Sequence, residues 1–153
     1  MRKPTKLDKE LTVGPQPGRE YVAELRRQGF ATVIDLRGSD EDDQRLAPVA
    51  EDQVAREQGL HYLQLTVPEQ ELRPELVDLF RLELARLPPP AFVHSKTGTR
   101  AAALGLMAKA VERRMSGPRA LSVADRLGLG LTAPELRAFI EAYVSKRAEL
   151  TGT

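Results

Sequence analysis

The sequence predicts a single α/β domain built on a small, mainly parallel sheet of about four strands with helices packed around it. Two observations carry this expectation. Short β-branched or apolar runs alternate with longer stretches of helical periodicity, which is the pattern of βαβ units. The chain is also 153 residues long and 41% hydrophobic, enough for one ordinary domain with its own core.

The elements follow in chain order. Residues 1–10 read as an N-terminal arm and 11–150 as the domain. Leu11-Thr12-Val13 is a short strand closed by Gly14-Pro15. A helix begins near Pro17 and stops at Gly29, with Tyr21, Val22 and Leu25 on one face. Phe30 to Leu36 is mostly apolar and β-branched, the composition of a buried strand, and a polar loop runs from Arg37 to Arg45. Pro48 to Gln58 is a helix ended by Gly59, and Leu60 to Val67 alternates as a strand. Pro74 to Leu87 carries a broad helical stripe of Leu76, Val77, Leu79, Phe80, Leu84 and Leu87, and Pro88-Pro89-Pro90 breaks it. Ala91-Phe92-Val93 is a short strand, and Ala101 to Arg113 is a helix. Two C-terminal helices complete the chain, one over about 118–127. The second opens with the capping box Thr132-Ala133-Pro134-Glu135 and runs to about Ala148. Right-handed crossovers place helices on both faces of the sheet.

Composition narrows the function classes. The net charge of +1 gives no global attraction to nucleic acid or an anionic membrane. Aromatic residues are too few for base-stacking platforms. No apolar run approaches the roughly 20 residues that span a bilayer. The basic start Met1-Arg2-Lys3-Pro4-Thr5-Lys6 lacks the apolar stretch of a signal peptide, so the expected location is the cytoplasm. Cysteine is absent, which removes disulfides and thiolate metal sites, and neither a metal nor a cofactor is expected. Asn and Trp are absent as well, a bias that suits a heat-adapted source and a GC-rich genome equally.

The chemistry is concentrated in Phe92-Val93-His94-Ser95-Lys96-Thr97-Gly98-Thr99-Arg100-Ala101, read as strand, tight loop and helix. Loops at the carboxyl ends of parallel strands are where open α/β sheets bind ligands. The amides of Lys96, Thr97, Gly98 and Thr99 can converge on one point, toward which the next helix aims the positive end of its dipole. Arg100 adds a planar fork for two anionic oxygens. These features describe an oxyanion cradle.

The stretch resembles the active-site loop of cysteine-dependent phosphatases, whose general signature is His-Cys-x-x-Gly-x-x-Arg. The similarity is closer to the bacterial beta-lactamase-hydrolase-like phosphatase family of the dual-specificity phosphatase superfamily, and it covers about residues 11–131. It is carried by Leu-Thr-Val-Gly-Pro-Gln at 11–16, Gly-Phe-Ala-Thr-Val-Ile-Asp-Leu-Arg at 29–37, Gly-Leu-His-Tyr-Leu-Gln-Leu-Thr-Val at 59–67 and Ser-Lys-Thr-Gly-Thr-Arg at 95–100. The resemblance implies a cysteine-phosphatase-like fold acting on phosphomonoesters, with a phosphate ester or phosphoprotein as partner.

Two departures qualify it. Ser95 occupies the position of the family's nucleophilic cysteine. The cradle can ionise a thiol, but a hydroxyl is a far weaker acid and needs an adjacent base. His94 is adjacent in sequence, yet it points to the opposite face of its strand and is expected to brace the loop by hydrogen bonds. The chain is therefore expected to be inactive as written. The loop is also one residue shorter between Ser95 and Arg100 than the general signature, a spacing shared with rhodanese-like sulfurtransferases. Three readings follow: a phosphatase-type domain without its thiol, a non-catalytic oxyanion- or phosphoprotein-binding pseudophosphatase, and a sulfurtransferase relative. Lys96 and Ala101, where the family shows Arg and a hydroxyl residue, add to the divergence.

The resemblance also implies a general acid on the loop before the nucleophile, where Glu69 and Glu71 are candidates; each can equally be a solvated surface carboxylate. Arg37, at the end of the second strand, is expected to touch the anion or to be a surface arginine. The acidic run Asp40-Glu41-Asp42-Asp43 reads as a solvated loop, His61 as a core or surface residue, and Arg113-Arg114 as charges that complement a helix dipole.

Overall fold

The computed structural model describes residues 3–151, with side chains to residue 150; Met1 and Arg2 of the basic N-terminal segment lie outside them. The strands are β1 (Thr5–Asp8), β2 (Leu11–Pro15), β3 (Thr32–Asp35), β4 (His61–Gln64) and β5 (Ala91–Ser95). The helices are α1 (Arg19–Leu25), α2 (Pro48–Glu57), α3 (Pro74–Arg86), α4 (Thr99–Glu112), α5 (Gly117–Leu127) and α6 (Pro134–Thr151).

The sheet has five strands in the order β1-β2-β5-β3-β4. All neighbours are parallel except β1 and β2. The sheet thus exceeds the four strands expected, because the presumed arm supplies an antiparallel edge strand. Thr5 pairs with Val13 and Lys6 with Thr12. Arg113 donates to Asp8 at 2.8 Å, so this helix-end arginine has a partner as well as a dipole.

β5 sits in the middle of the sheet and is buried along its whole length. Its alternate side chains serve two cores. Phe92 joins Val22, Leu25, Val33, Val54 and Ala55 beneath α1 and α2. Ala91 and Val93 join Val13, Ile34, Phe80, Leu104, Met107 and Ile140 on the other face. α4 is buried from Arg100 to Ala110 and crosses the sheet closely. At Gly105 a side chain would lie 2.7 Å from Val13 Cγ1, so only glycine permits that approach.

α6 starts at Pro134 rather than at the predicted capping box, and no Thr132 side-chain bond forms among the described residues. Pro134 needs no N–H partner in a first turn, and Arg137 ties the region together through Leu131 O and Asp125. No helix among the described residues is long and apolar enough to cross a membrane.

Candidate active site

The parallel strands place four connections at one edge of the sheet: 16–18 after β2, 36–47 after β3, 65–73 after β4 and 96–98 after β5. The last is the predicted cradle. Gly98 adopts φ 91°, the left-handed region, and thereby turns β5 into α4 within three residues. Ser95 is fully buried. Its Oγ accepts a hydrogen bond from Ala101 N–H at 3.2 Å, an otherwise unpaired donor of the first turn of α4. This is the only bond Ser95 Oγ makes among the described residues, and no base touches it. Thr97 and Thr99 are exposed, with their hydroxyls 3.3 Å apart. Lys96 leans toward Asp43, 4.0 Å away.

Arg100 is only 8% exposed and is held from several sides. Nη1 donates to Val67 O at 2.8 Å and to Glu41 Oε2 at 2.7 Å. Nη2 donates to Glu41 Oε1 at 2.9 Å and to Glu69 Oε1 at 3.3 Å. Glu41 also accepts from Gly38 N–H at 2.8 Å. Burial pushes the Glu41 carboxyl up, but the Arg100 fork and the Gly38 amide outweigh it, and the net pKa lies below the usual Glu value. The acidic run is therefore not simply solvated, since one of its members closes on the cradle's arginine. Of the two general-acid candidates, the fold brings Glu69 to Arg100, whereas Glu71 is exposed and stands apart from it.

Arg37 does not present itself to an external anion. It is fully buried, and its guanidinium is committed to Asp35 (2.9 and 2.8 Å), Glu51 (2.8 Å) and Gln16 (3.1 Å). His94 likewise does not brace the loop: Nε2 bonds to Glu51 Oε2, and Nδ1 has no hydrogen-bond partner and lies 3.7 Å from Asp35 Oδ1. Tyr62 donates to Asp35 at 2.7 Å. Asp35, Arg37, Glu51 and His94 thus form a fully buried polar cluster beneath α2, on the face of β5 opposite Ser95. Burial raises the Asp35 pKa, but Arg37 and His94 pull it down further, so it sits below its usual value. Glu51 is raised, chiefly by burial and also by Asp35, against the opposing pull of His94 and Arg37. Asp35, Glu51 and His94 could by geometry approach a metal, but Arg37 already supplies the positive charge between the carboxylates.

The spacing of Pro48, Glu51, Val54 and Ala55 could have revealed Glu51, because it puts the glutamate on the buried stripe of α2. No comparable local signal marks Glu41.

A family model for the Beta-lactamase hydrolase-like protein, phosphatase-like domain, matches residues 5–112. The chain belongs to this family. Beta-lactamase hydrolase-like proteins of Xylella fastidiosa and Agrobacterium fabrum are 27% and 26% identical over 109 and 113 residues, or 71% and 74% of this chain. The chain spans about a quarter of the length of these curated relatives, covering 25% and 26% of them. Among solved structures, a Shewanella putrefaciens protein provisionally described as a phosphatase superposes with a TM-score of 0.80 at 18% identity, covering 96% of this chain and 94% of that one. A Neisseria meningitidis protein, also provisionally described as a phosphatase, gives 0.76 at 21% identity, covering 91% and 96%. P. aeruginosa TpbA, in a cysteine-to-serine form in complex with pTyr, gives 0.72 at 19% identity, covering 97% and 88%. These likenesses establish a cysteine-phosphatase-like α/β fold, and the family match makes this a phosphatase-like domain.

Proposed function

We propose that this domain binds phosphomonoesters, free or on a phosphoprotein, at the 95–100 loop and does not hydrolyse them while residue 95 is serine. The observation that carries this reading is the position of Ser95 Oγ. It lies under the first turn of α4, bonded to Ala101 N–H, with no base in contact. That environment stabilises negative charge, which an alcohol does not adopt near neutral pH. Lys96, Thr97, Gly98 and Thr99 would supply amides to the anion, and Arg100 its guanidinium edge. Ser95 would mark the nucleophile's place without acting as one. A cytoplasmic setting belongs to the same reading. The pTyr complex of the TpbA serine form lends it support by analogy of fold.

Calorimetric titration with phosphate, sulfate or vanadate tests the reading. The native chain should bind measurably, and Arg100→Ala should weaken binding roughly tenfold or more, the scale of a lost charge-assisted pair. Equal affinities would remove the cradle from the account.

A further inference from the structure

A cleft of about 560 Å³ adjoins the cradle. Thr99 and Arg100 line its inner end, Pro68, Glu69 and Leu72 one wall, and Leu136 and Phe139 of α6 the other. Both α6 side chains are half-buried and leave part of their apolar surface open to the cleft. They lie outside the residues that the family model matches, 5–112. The charged groups at the cleft are unequal: Glu69 and Glu135 are exposed carboxylates, while Arg100, the one cation lining it among the described residues, is already paired with Glu41 and Glu69.

We infer that Leu136 and Phe139 form the subsite for the organic group of the bound phosphomonoester, and that they favour an uncharged aryl group over one bearing a second anion. The inference rests on the proposed binding of phosphomonoesters at the loop. A phosphoryl group held by the loop has its ester oxygen directed outward, and the cleft is the apolar space continuous with Arg100. A flat ring can pack against Phe139, gaining burial and an aromatic contact. A second anionic group would meet the two glutamates, and among the described residues that line the cleft no unpaired cation stands to receive it. The specificity of this chain would then reside in α6, apart from the loop that binds the phosphate.

Titration of the native serine chain with inorganic phosphate, phenyl phosphate and 4-carboxyphenyl phosphate tests this. Phenyl phosphate should bind roughly tenfold tighter than inorganic phosphate, as expected for partial burial of one ring. The 4-carboxyphenyl ester should lose most of that advantage. Phe139→Ala should erase the preference for phenyl phosphate while leaving inorganic phosphate within about twofold of the native affinity. Since Phe139 also stacks on Tyr143 at 6.3 Å, Ala133→Phe serves as a second variant. Ala133 is exposed and lines the same cleft, so the larger side chain fills the subsite without disturbing the core. It should weaken phenyl phosphate alone. Equal binding of phenyl and inorganic phosphate by the native chain, or a preference that survives both variants, overturns the subsite. A 4-carboxyphenyl ester that binds as well as phenyl phosphate overturns the selection against charge. Absence of binding by all three ligands would instead locate the failure in the cradle itself and bring the subsite down with it.

Discussion

Glu41 grips Arg100 end-on, its two carboxylate oxygens 2.7 and 2.9 Å from the two terminal guanidinium nitrogens. Both terminal nitrogens are engaged, Nη1 by Glu41 and Val67 O and Nη2 by Glu41 and Glu69, while Nε has no partner among the described residues. An oxyanion would take the Nε–H and compete with Glu69 for Nη2. Arg100 is held in place by Val67 O as well. Glu41 therefore both anchors the arginine and offsets its charge. Glu41→Gln should raise phosphate affinity several-fold, because a negative charge beside the anion is removed while an acceptor remains.

The same substitution should lower stability at neutral pH by about 1–3 kcal/mol, the cost of weakening a partly buried charge-assisted pair. Because the folded pKa of Glu41 is depressed, its contribution is fully present above the ordinary Glu value and fades as pH falls through the depressed one. Urea melts of the two proteins should diverge at neutral pH and converge in acid. A constant gap across that range would show that the pair is not the source.

The buried cluster makes a different prediction. Glu51→Ala takes one of two carboxylates from the buried Arg37, leaving it Asp35 and Gln16, and removes the hydrogen-bond partner of His94 Nε2; it should cost about 3–5 kcal/mol. Glu51→Gln keeps an acceptor for Arg37 and a polar contact for His94, and should cost markedly less. Glu51 has a raised folded pKa, so holding it ionised costs stability as pH rises from the ordinary carboxylate value through the raised one. Glu51→Gln removes that loss, and its deficit relative to the parent should shrink with rising pH. Chemical denaturation at several pH values checks both the ordering and the sign.

Much of the fold could be read from the sequence, because its elements are locally encoded. The stripe of α3, the β-branched run of β3 and the 92–101 strand-loop-helix each state their conformation within a few residues. β1 does not: Thr-Lys-Leu-Asp has one apolar residue and becomes a strand only by pairing with β2. The site divides in the same way. Ser95, Gly98 and Arg100 are contiguous and legible. Glu41 looks like part of a solvated acidic run, and nothing nearby in the chain announces an arginine 59 residues later. Arg37 ends its strand at the expected edge, but the decision to face inward was made by Asp35 and Glu51.

If the thiol is restored, a general acid should become measurable. Glu69 lies 3.3 Å from Arg100, at the side of the cradle open to the cleft. In a Ser95→Cys background, Glu69→Gln should lower turnover by roughly 10²- to 10⁴-fold on esters with poor leaving groups and much less on activated aryl phosphates. Glu71→Gln should have little effect. A reversed ranking would assign the role to Glu71, and no effect from either would move it elsewhere, with the 39–43 loop next in line.

The most direct measurement is phosphatase turnover of the native chain beside Ser95→Cys. A thiol under the first turn of α4, facing Ala101 N–H, should ionise below the usual cysteine range and attack phosphorus as the P–O ester bond breaks. The alcohol should leave with a proton from Glu69 and water then hydrolyse the phosphocysteine, while Arg100 and the loop amides stabilise the charge that develops. The native chain should show no turnover above background, and the cysteine variant clear turnover. Robust turnover by the native chain, persisting after mass spectrometry confirms serine at position 95 and abolished by Ser95→Ala, would contradict this prediction.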